Sequence, residues 1–532
     1  MLFNSHVFLF SFLPVTLAVV LGLARAGAQR AAKVALFLAS LFFYGFWDPR
    51  YVALLLGLLV VNYATAQVLL RLVAREGEAQ EPSHTRRAVL VLGVTLNVGV
   101  LAYFKYTNFV VDTLNGILTH KLHLATIVLP LGISFITFQK IALLVDVYSG
   151  TVASLPLLDY CLFVTFFPQL IAGPIVHHRE VIPQFSRPES LRPGATSVAA
   201  GVTLFVIGLA KKVLVADALA PKAVVVYAAA SVGSRIDFFT AWSGGIHYLF
   251  QLYYDFSGYS DMAIGLGMLF GVQLPVNFNS PYKAVGFVEY WQRWHITLTR
   301  FLTAYVYNPV VLRLSRRRVA AGKKTSVKGR MLPGAFVTLL ALPTLYTMFI
   351  SGLWHGAGFQ FIVFGLLHGV YLIIDHAYRT YRKKEKGKPL PASPLAVAAA
   401  RVLTLLGVLV GSVFFRADGV RAALRVLKGM TGLAGIGVFT LYRDPLALLI
   451  VLAAILSTQL LPNSQEILGR YFGRPQGAPI TGAAAADAGA SLLRPRALAL
   501  LPAPLAGALI ALLAFAAIVE IADSSVFLYF NF

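Results

Sequence analysis

The stretch Met331-Leu-Pro-Gly-Ala-Phe-Val-Thr-Leu-Leu-Ala-Leu-Pro-Thr-Leu-Tyr-Thr-Met-Phe-Ile-Ser-Gly-Leu-Trp-His355-Gly-Ala-Gly-Phe-Gln-Phe-Ile-Val-Phe-Gly-Leu-Leu-His368-Gly-Val-Tyr-Leu-Ile-Ile374 contains no Asp, Glu, Lys or Arg. Crossing the hydrocarbon as a helix takes about 20 apolar residues, because no water is available there to satisfy backbone groups. Residues 331–354 and 356–374 each supply such a run, and each borders a basic loop at its other end: Arg313–Arg330 and Arg379–Lys388. Short loops carry their Lys/Arg excess on the cytoplasmic side. The chain is therefore expected to leave the cytoplasm near Arg330 and return near Arg379. His355 would then lie far from the cytoplasm or deep in the membrane. Gly352, Gly356 and Gly358 around it allow a break or close helix packing.

The rest of the chain has the same character. It is 58% hydrophobic and 13% charged, with a mean hydropathy of +0.74, whereas soluble domains are about 45–50% apolar and about 25% charged. Further uncharged runs lie at 6–24, 51–70, 88–104, 160–176, 238–254, 445–465 and 497–519. Interrupted ones at 34–47, 122–139, 193–210, 262–282 and 402–415 read as tilted, broken or re-entrant helices. The expected fold is all-α, a polytopic integral membrane protein with roughly ten to thirteen transmembrane or re-entrant helices. No Lys or Arg precedes the first run, and Arg25, Arg30 and Lys33 follow it, so it reads as a retained span rather than a secretory signal. One membrane domain over 1–532 is expected, with 466–496 as a small-residue linker and 416–430 as an amphipathic surface helix.

The net charge of +23 does not point to nucleic acid. The positives cluster in short loops, Arg71–Arg87 and the two named above, where topology and attraction to anionic headgroups account for them. The single cysteine, Cys161, lies in an apolar run and offers neither a disulfide nor a thiolate metal site.

An ionisable side chain at the bilayer centre costs at least ~2.5–3.5 kcal/mol, so those that persist are functional candidates. His247, Asp255, Asp261, His295, His355 and His368 stand in or beside apolar runs. From position alone His355 is either a working imidazole or one bonded to a carbonyl at a helix end. On one continuous helix His355 and His368 would face nearly opposite ways, and His177-His178 lacks ligand spacing, so no metal is expected. Glu289-Tyr-Trp-Gln-Arg-Trp-His295-Ile-Thr-Leu-Thr-Arg300 suits the headgroup level. Asp255 and Asp261 are either an acid/base pair or structural partners for the Arg and His of 289–300.

Read in order, several segments are similar to the membrane-bound O-acyltransferase family, in its bacterial alginate O-acetyltransferase-like branch. They are Met1-Leu-Phe-Asn-Ser-His-Val-Phe-Leu-Phe10, Leu129-Pro-Leu-Gly-Ile-Ser-Phe-Ile-Thr-Phe-Gln139, Phe166-Phe-Pro-Gln-Leu-Ile-Ala-Gly-Pro174, Gly208-Leu-Ala-Lys-Lys-Val213, Asp255-Phe-Ser-Gly-Tyr-Ser-Asp261, Asn277-Phe-Asn-Ser-Pro-Tyr282, Tyr290-Trp-Gln-Arg-Trp-His295, Gly352-Leu-Trp-His-Gly-Ala357, Leu367-His-Gly369 and Phe527-Leu-Tyr-Phe-Asn-Phe532. The resemblance implies that His355 is the catalytic histidine and His295 the second motif position. It also implies acetyl-CoA as cytoplasmic acyl donor and no metal. An extracytoplasmic polysaccharide, alginate-like or peptidoglycan, would be the acceptor, and the protein would sit in the bacterial cytoplasmic (inner) membrane. A separate extracytoplasmic acetyltransferase or esterase-like protein would complete the transfer, since the chain has no Gly-x-Ser-x-Gly elbow. One departure stands out: relatives follow the His295 motif with an Arg-Asp pair, where this chain reads Phe301-Leu-Thr-Ala-Tyr305.

Two other readings remain open: D-alanyl transfer from an acyl carrier protein, and a transporter or flippase. The latter would predict inverted repeats, and no repeat is visible. The charge pattern makes a direct prediction. Single cysteines in Arg71–Arg87, Arg313–Arg330 and Arg379–Lys388 should all be labelled only from the cytoplasmic side, and labelling of any one from outside would overturn the placement of His355.

Overall fold

The computed structural model describes residues 1–76, 82–327, 330–382, 393–438, 444–473, 502–521 and 527–528. Seven of its helices are long and apolar enough to cross a membrane: Phe8–Arg25, Arg50–Glu76, His84–Asn115, Ala195–Ser231, Pro333–His355, Phe359–Tyr381 and Pro394–Arg416. An eighth is formed if Pro445–Leu460 and Ser464–Tyr471, bent by 56°, count as one broken span. Residues 474–501, which include most of the expected 466–496 linker, lie outside the described residues, as do parts of the three basic loops; 466–471, expected as linker, belong to the helix Ser464–Tyr471. Within the expected 416–430 stretch, the helix Val420–Met430 is amphipathic: it buries Ala422, Ala423 and Val426 and exposes Arg421 and Lys428, while Arg416 ends the preceding helix.

Six helices build the centre. They are α1 (His84–Asn115), α2 (Ile133–Tyr148), α3 (Phe238–Leu269), α4 (Leu342–His355, the last part of the Pro333–His355 span), α5 (Phe359–Tyr381) and α6 (Pro394–Arg416). Three have polar N-caps: Ser83 accepts from Arg86 N–H, Asp237 from Thr240 N–H and Ser393 from Ala396 N–H. α3 is the axis of the fold, buried along nearly its whole length. Helix Ala195–Ala210 lies against it almost backbone to backbone. Gly201 meets the carbonyl of Gly265, and Gly208 that of Gly258, so a Cβ at any of these would collide.

Two expectations need correction. Residues 160–176 do not form one span but two short helices, Leu157–Thr165 and Phe167–Leu170. Pro168 is the cause: continuing the first helix would drive its ring into the carbonyl four residues back and remove a hydrogen bond. Residues 262–282 are the last turns of α3 followed by extended chain, the break marked by Gly271 at φ 73°.

α4 and α5 are not halves of one helix. The chain turns at Gly356-Ala-Gly358 and the two pack antiparallel, with Gly352 against the Phe361 carbonyl and Gly365 against the Met348 carbonyl. At the open end the rings of Phe336 and Tyr381 stand 5.5 Å apart. His355 sits at the opposite, closed end, about 20 Å along a helix of this length from Leu342. Gly365→Val should force the hairpin apart at a cost of about 1–3 kcal/mol for overpacking. A lowered melting temperature in detergent, absent from Gly57→Ala where nothing lies within 4 Å, would show it. Equal melting of the two variants would contradict the packing described.

Candidate active site

His355 ends α4 and is buried. Its ring meets those of Phe415 of α6 at 5.0 Å, Trp354 at 4.9 Å and Phe364 of α5 at 5.6 Å. Beside it is a cavity of about 20 Å³, whose lining includes Tyr282, Tyr290, Trp291, Trp294, Phe364 and His368. A space of that size holds about one water-sized group. His368 therefore shares the cavity with His355, contrary to the single-helix expectation. Folding at Gly356-Ala-Gly358 resets the angular register between them. Trp291 Nε1–H donates to His368 Nδ1 at 3.3 Å, which leaves the His368 proton on Nε2.

His295 is held differently. It adopts the left-handed conformation at φ 43°, ψ 53°, unusual for a non-glycine residue, as N-cap of helix Ile296–Leu302. Its partner is Asn277, whose Oδ1 lies 3.1 Å from His295 Nδ1 and also accepts from Thr297 Oγ1–H at 2.8 Å and from Thr297 N–H at 3.3 Å. The backbone N–H can only donate, so the asparagine presents oxygen here and His295 Nδ1 must carry the proton. Nε2 is then the basic nitrogen. Both histidines border Trp354, whose ring is 6.0 Å from that of His295.

The 289–300 segment packs into the protein interior: Tyr290, Trp291, Arg293, Trp294 and His295 are all buried. Arg293 pairs with Glu289 at 2.8 Å and donates to the Asn279 carbonyl at 3.2 Å, clamping the 277–280 loop that carries Asn277. Asp255 and Asp261 form ion pairs with lysines rather than with that segment. Lys212 bridges Asp255 and Asp217 at 2.7 Å each, and Lys211 meets Asp261 at 2.6 Å. Asp255 also accepts from the Leu528 N–H at 3.0 Å, which pins that part of the C-terminal segment to α3. His247 Nδ1 is 2.8 Å from the Ser243 carbonyl one turn back, a helix-internal contact.

His177 and His178, which lack ligand spacing in sequence, meet Asp146 in space. Asp146 Oδ2 lies 2.7 Å from His177 Nε2, 3.2 Å from His178 Nδ1 and 2.8 Å from the Tyr305 hydroxyl. By spacing, Asp146, His177 and His178 could hold a metal ion, and their contacts also form a hydrogen-bond hub. His177 Nδ1 accepts from the Arg179 N–H as a helix cap, which puts its proton on Nε2, facing the carboxylate. Burial alone would raise the Asp146 carboxyl, but hydrogen bonds from His177, His178 and Tyr305 outweigh it and hold it well below the usual carboxylate range. Tyr305, at the end of the Phe301–Tyr305 stretch, supplies one of the hub's donors.

Comparison with known proteins agrees with this architecture. Residues 150–323 match the model of the MBOAT, membrane-bound O-acyltransferase family. The chain is 39% identical to a peptidoglycan O-acetyltransferase of Helicobacter pylori, over 84% of this chain and 82% of that one. It is 37% identical to a probable alginate O-acetylase AlgI of Pseudomonas aeruginosa, over 81% and 75%. A teichoic acid D-alanyltransferase of Streptococcus thermophilus is more distant, 24% identical over 54% and 68%. A multi-pass helical architecture joined to matches of that identity and extent makes the chain a member of the membrane-bound O-acyltransferase family.

Proposed function

We propose that this acyltransferase takes acetyl groups from cytoplasmic acetyl-CoA and delivers them across the bacterial cytoplasmic membrane for O-acetylation of an envelope or exported polysaccharide, of the peptidoglycan or alginate kind. The observation that carries the reading is His355, buried at the closed end of the α4–α5 hairpin beside a cavity the size of one small group. In the transfer, an acceptor hydroxyl oxygen attacks the thioester carbonyl carbon while His355 takes the hydroxyl proton. The C–S bond then breaks, and the imidazolium returns that proton to the departing thiolate. Imidazole suits both roles near neutral pH. The tightly packed aromatic lining keeps out water that would otherwise hydrolyse the acyl group. His295, with Nε2 basic, supports the same site from the facing wall of Trp354. The acceptor hydroxyl belongs to the polymer or to a separate extracytoplasmic protein that finishes the transfer.

The cavity favours acetyl over D-alanyl. No Asp or Glu lines it among the described residues, so an ammonium group would be buried without a counter-charge. Its Tyr282 and Ser412 hydroxyls already donate to the Leu249 and Leu409 carbonyls. Membrane vesicles should therefore use acetyl-CoA and discriminate against propionyl-CoA by about tenfold or more, the worth of one methylene in a fitted pocket. Transfer should also persist in EDTA. Incorporation of D-alanine, or loss of transfer in EDTA with recovery on adding zinc, would contradict the reading.

Replacing the base tests the mechanism. His355→Ala should lower the initial rate of polymer acetylation by about 10²–10⁴-fold while the protein remains inserted and monodisperse. A structural hydrogen bond alone is worth only about 0.5–1.5 kcal/mol of stability. Near wild-type ester acetate in a deletion strain carrying His355→Ala would sink the assignment. His295→Ala should also reduce transfer, through loss of the Asn277-anchored wall.

A further inference from the structure

The end of α4 is capped in an unusual way. A helix leaves its last four carbonyls without intrahelical partners. Many helices close them with a left-handed residue whose N–H turns back onto them. Gly356 instead continues in extended backbone at φ −169°, ψ 161°. The donors come from α1, about 250 positions away in sequence. Lys105 Nζ donates to the Trp354 carbonyl and the Tyr106 hydroxyl to the Leu353 carbonyl. These are the two peptide groups directly ahead of His355. Trp354 is wedged at the same point between Phe135 and Phe138 of α2, each ring centroid 5.2 Å away, and Lys105 Nζ stands 5.9 Å over its ring.

Lys105 is a costly residue to keep here. It is buried within a membrane-spanning helix, and among the described residues no carboxylate lies within ion-pair distance of it. A lysine with only a topological or headgroup role would extend its ammonium to the membrane surface. This one turns inward to the negative end of the α4 helix dipole, where a cation is favourable. Tyr106, its neighbour in sequence, performs the same task one residue earlier.

We infer that Lys105 and Tyr106 are positioning residues for His355, fixing the last turn of α4 so that the imidazole stands at the closed end of the cavity. The inference rests on the reading of His355 as the transfer base. Misplacing such a group by an ångström costs about 10²-fold in rate, so losing one of two clamps is expected to fall somewhat below that.

The test uses membrane vesicles from a deletion strain complemented with full-length variants, with acetyl-CoA varied and ester-linked acetate on envelope polymer measured. Lys105→Met should lower kcat about 10–100-fold with the KM for acetyl-CoA within about twofold of wild type and the melting temperature little changed. Lys105→Arg should recover much of the rate, and Tyr106→Phe should show a smaller fall of the same kind. In a His355→Ala background Lys105→Met should add no further loss. Wild-type kcat in both Lys105→Met and Tyr106→Phe would overturn the inference. So would equal, additive losses accompanied by lowered melting temperature, since that pattern belongs to general scaffolding. An active His355→Ala variant would instead remove the reading of His355 itself, whereas an inactive one beside a fully active Lys105→Met would remove only the positioning role.

Discussion

α4 and α5 approach so closely at Gly352 and Gly365 that a Cβ on either would strike a carbonyl oxygen of the facing helix. Association inside a membrane gains little from the hydrophobic effect, because lipid tails are as apolar as the helices. Van der Waals contact between bare backbones substitutes for it. The contact forces the turn at Gly356-Ala-Gly358, and the turn puts His355 at a helix end and His368 on the wall of the same cavity. The same device repeats where Gly201 and Gly208 meet Gly265 and Gly258, which seats α3 as the buried axis.

Around this frame the interior holds many polar groups, and most are matched within the protein. Lys211 pairs with Asp261, Lys212 is shared between Asp255 and Asp217, Arg293 is paired with Glu289, and Asn277 gathers His295 and Thr297. Pairing in this way is what makes buried charge tolerable. The site is therefore a rigid set of aromatic walls with the two histidines held at their edges. Rigidity of this sort suits acyl transfer, where the reacting groups must be aligned and water kept away.

Much of this was legible in the sequence. Long uncharged runs between basic loops mark the spans, and the run of residues 331–374, with His355 in its middle, points at the closed end of the hairpin. The failures have specific physical causes. Hydropathy does not register that Pro168 breaks residues 160–176 into two short helices, because the residues on either side are equally apolar. His355 and His368 face apart only on an unbroken helix, and Gly356 and Gly358 between them already signal a break. Asp255 and Asp261 could pair with the Arg and His of 289–300 or with Lys211 and Lys212, at similar separations in sequence, and only the packing of the helices chooses the lysines. Lys105 was invisible for another reason: what it holds is a backbone carbonyl, and side-chain identity gives no hint of that.

The central claim is that acyl transfer takes place at His355, within the cavity at the hairpin's closed end. A cryo-EM structure in nanodiscs with a non-hydrolysable acetyl-CoA analogue tests it most directly. The account predicts the acetyl group in that cavity, its carbonyl carbon close enough for a hydroxyl held by His355 to lie about 3–3.5 Å away. An analogue bound with its acetyl group outside the cavity, and His355 sealed behind Phe364 and Phe415, would contradict it.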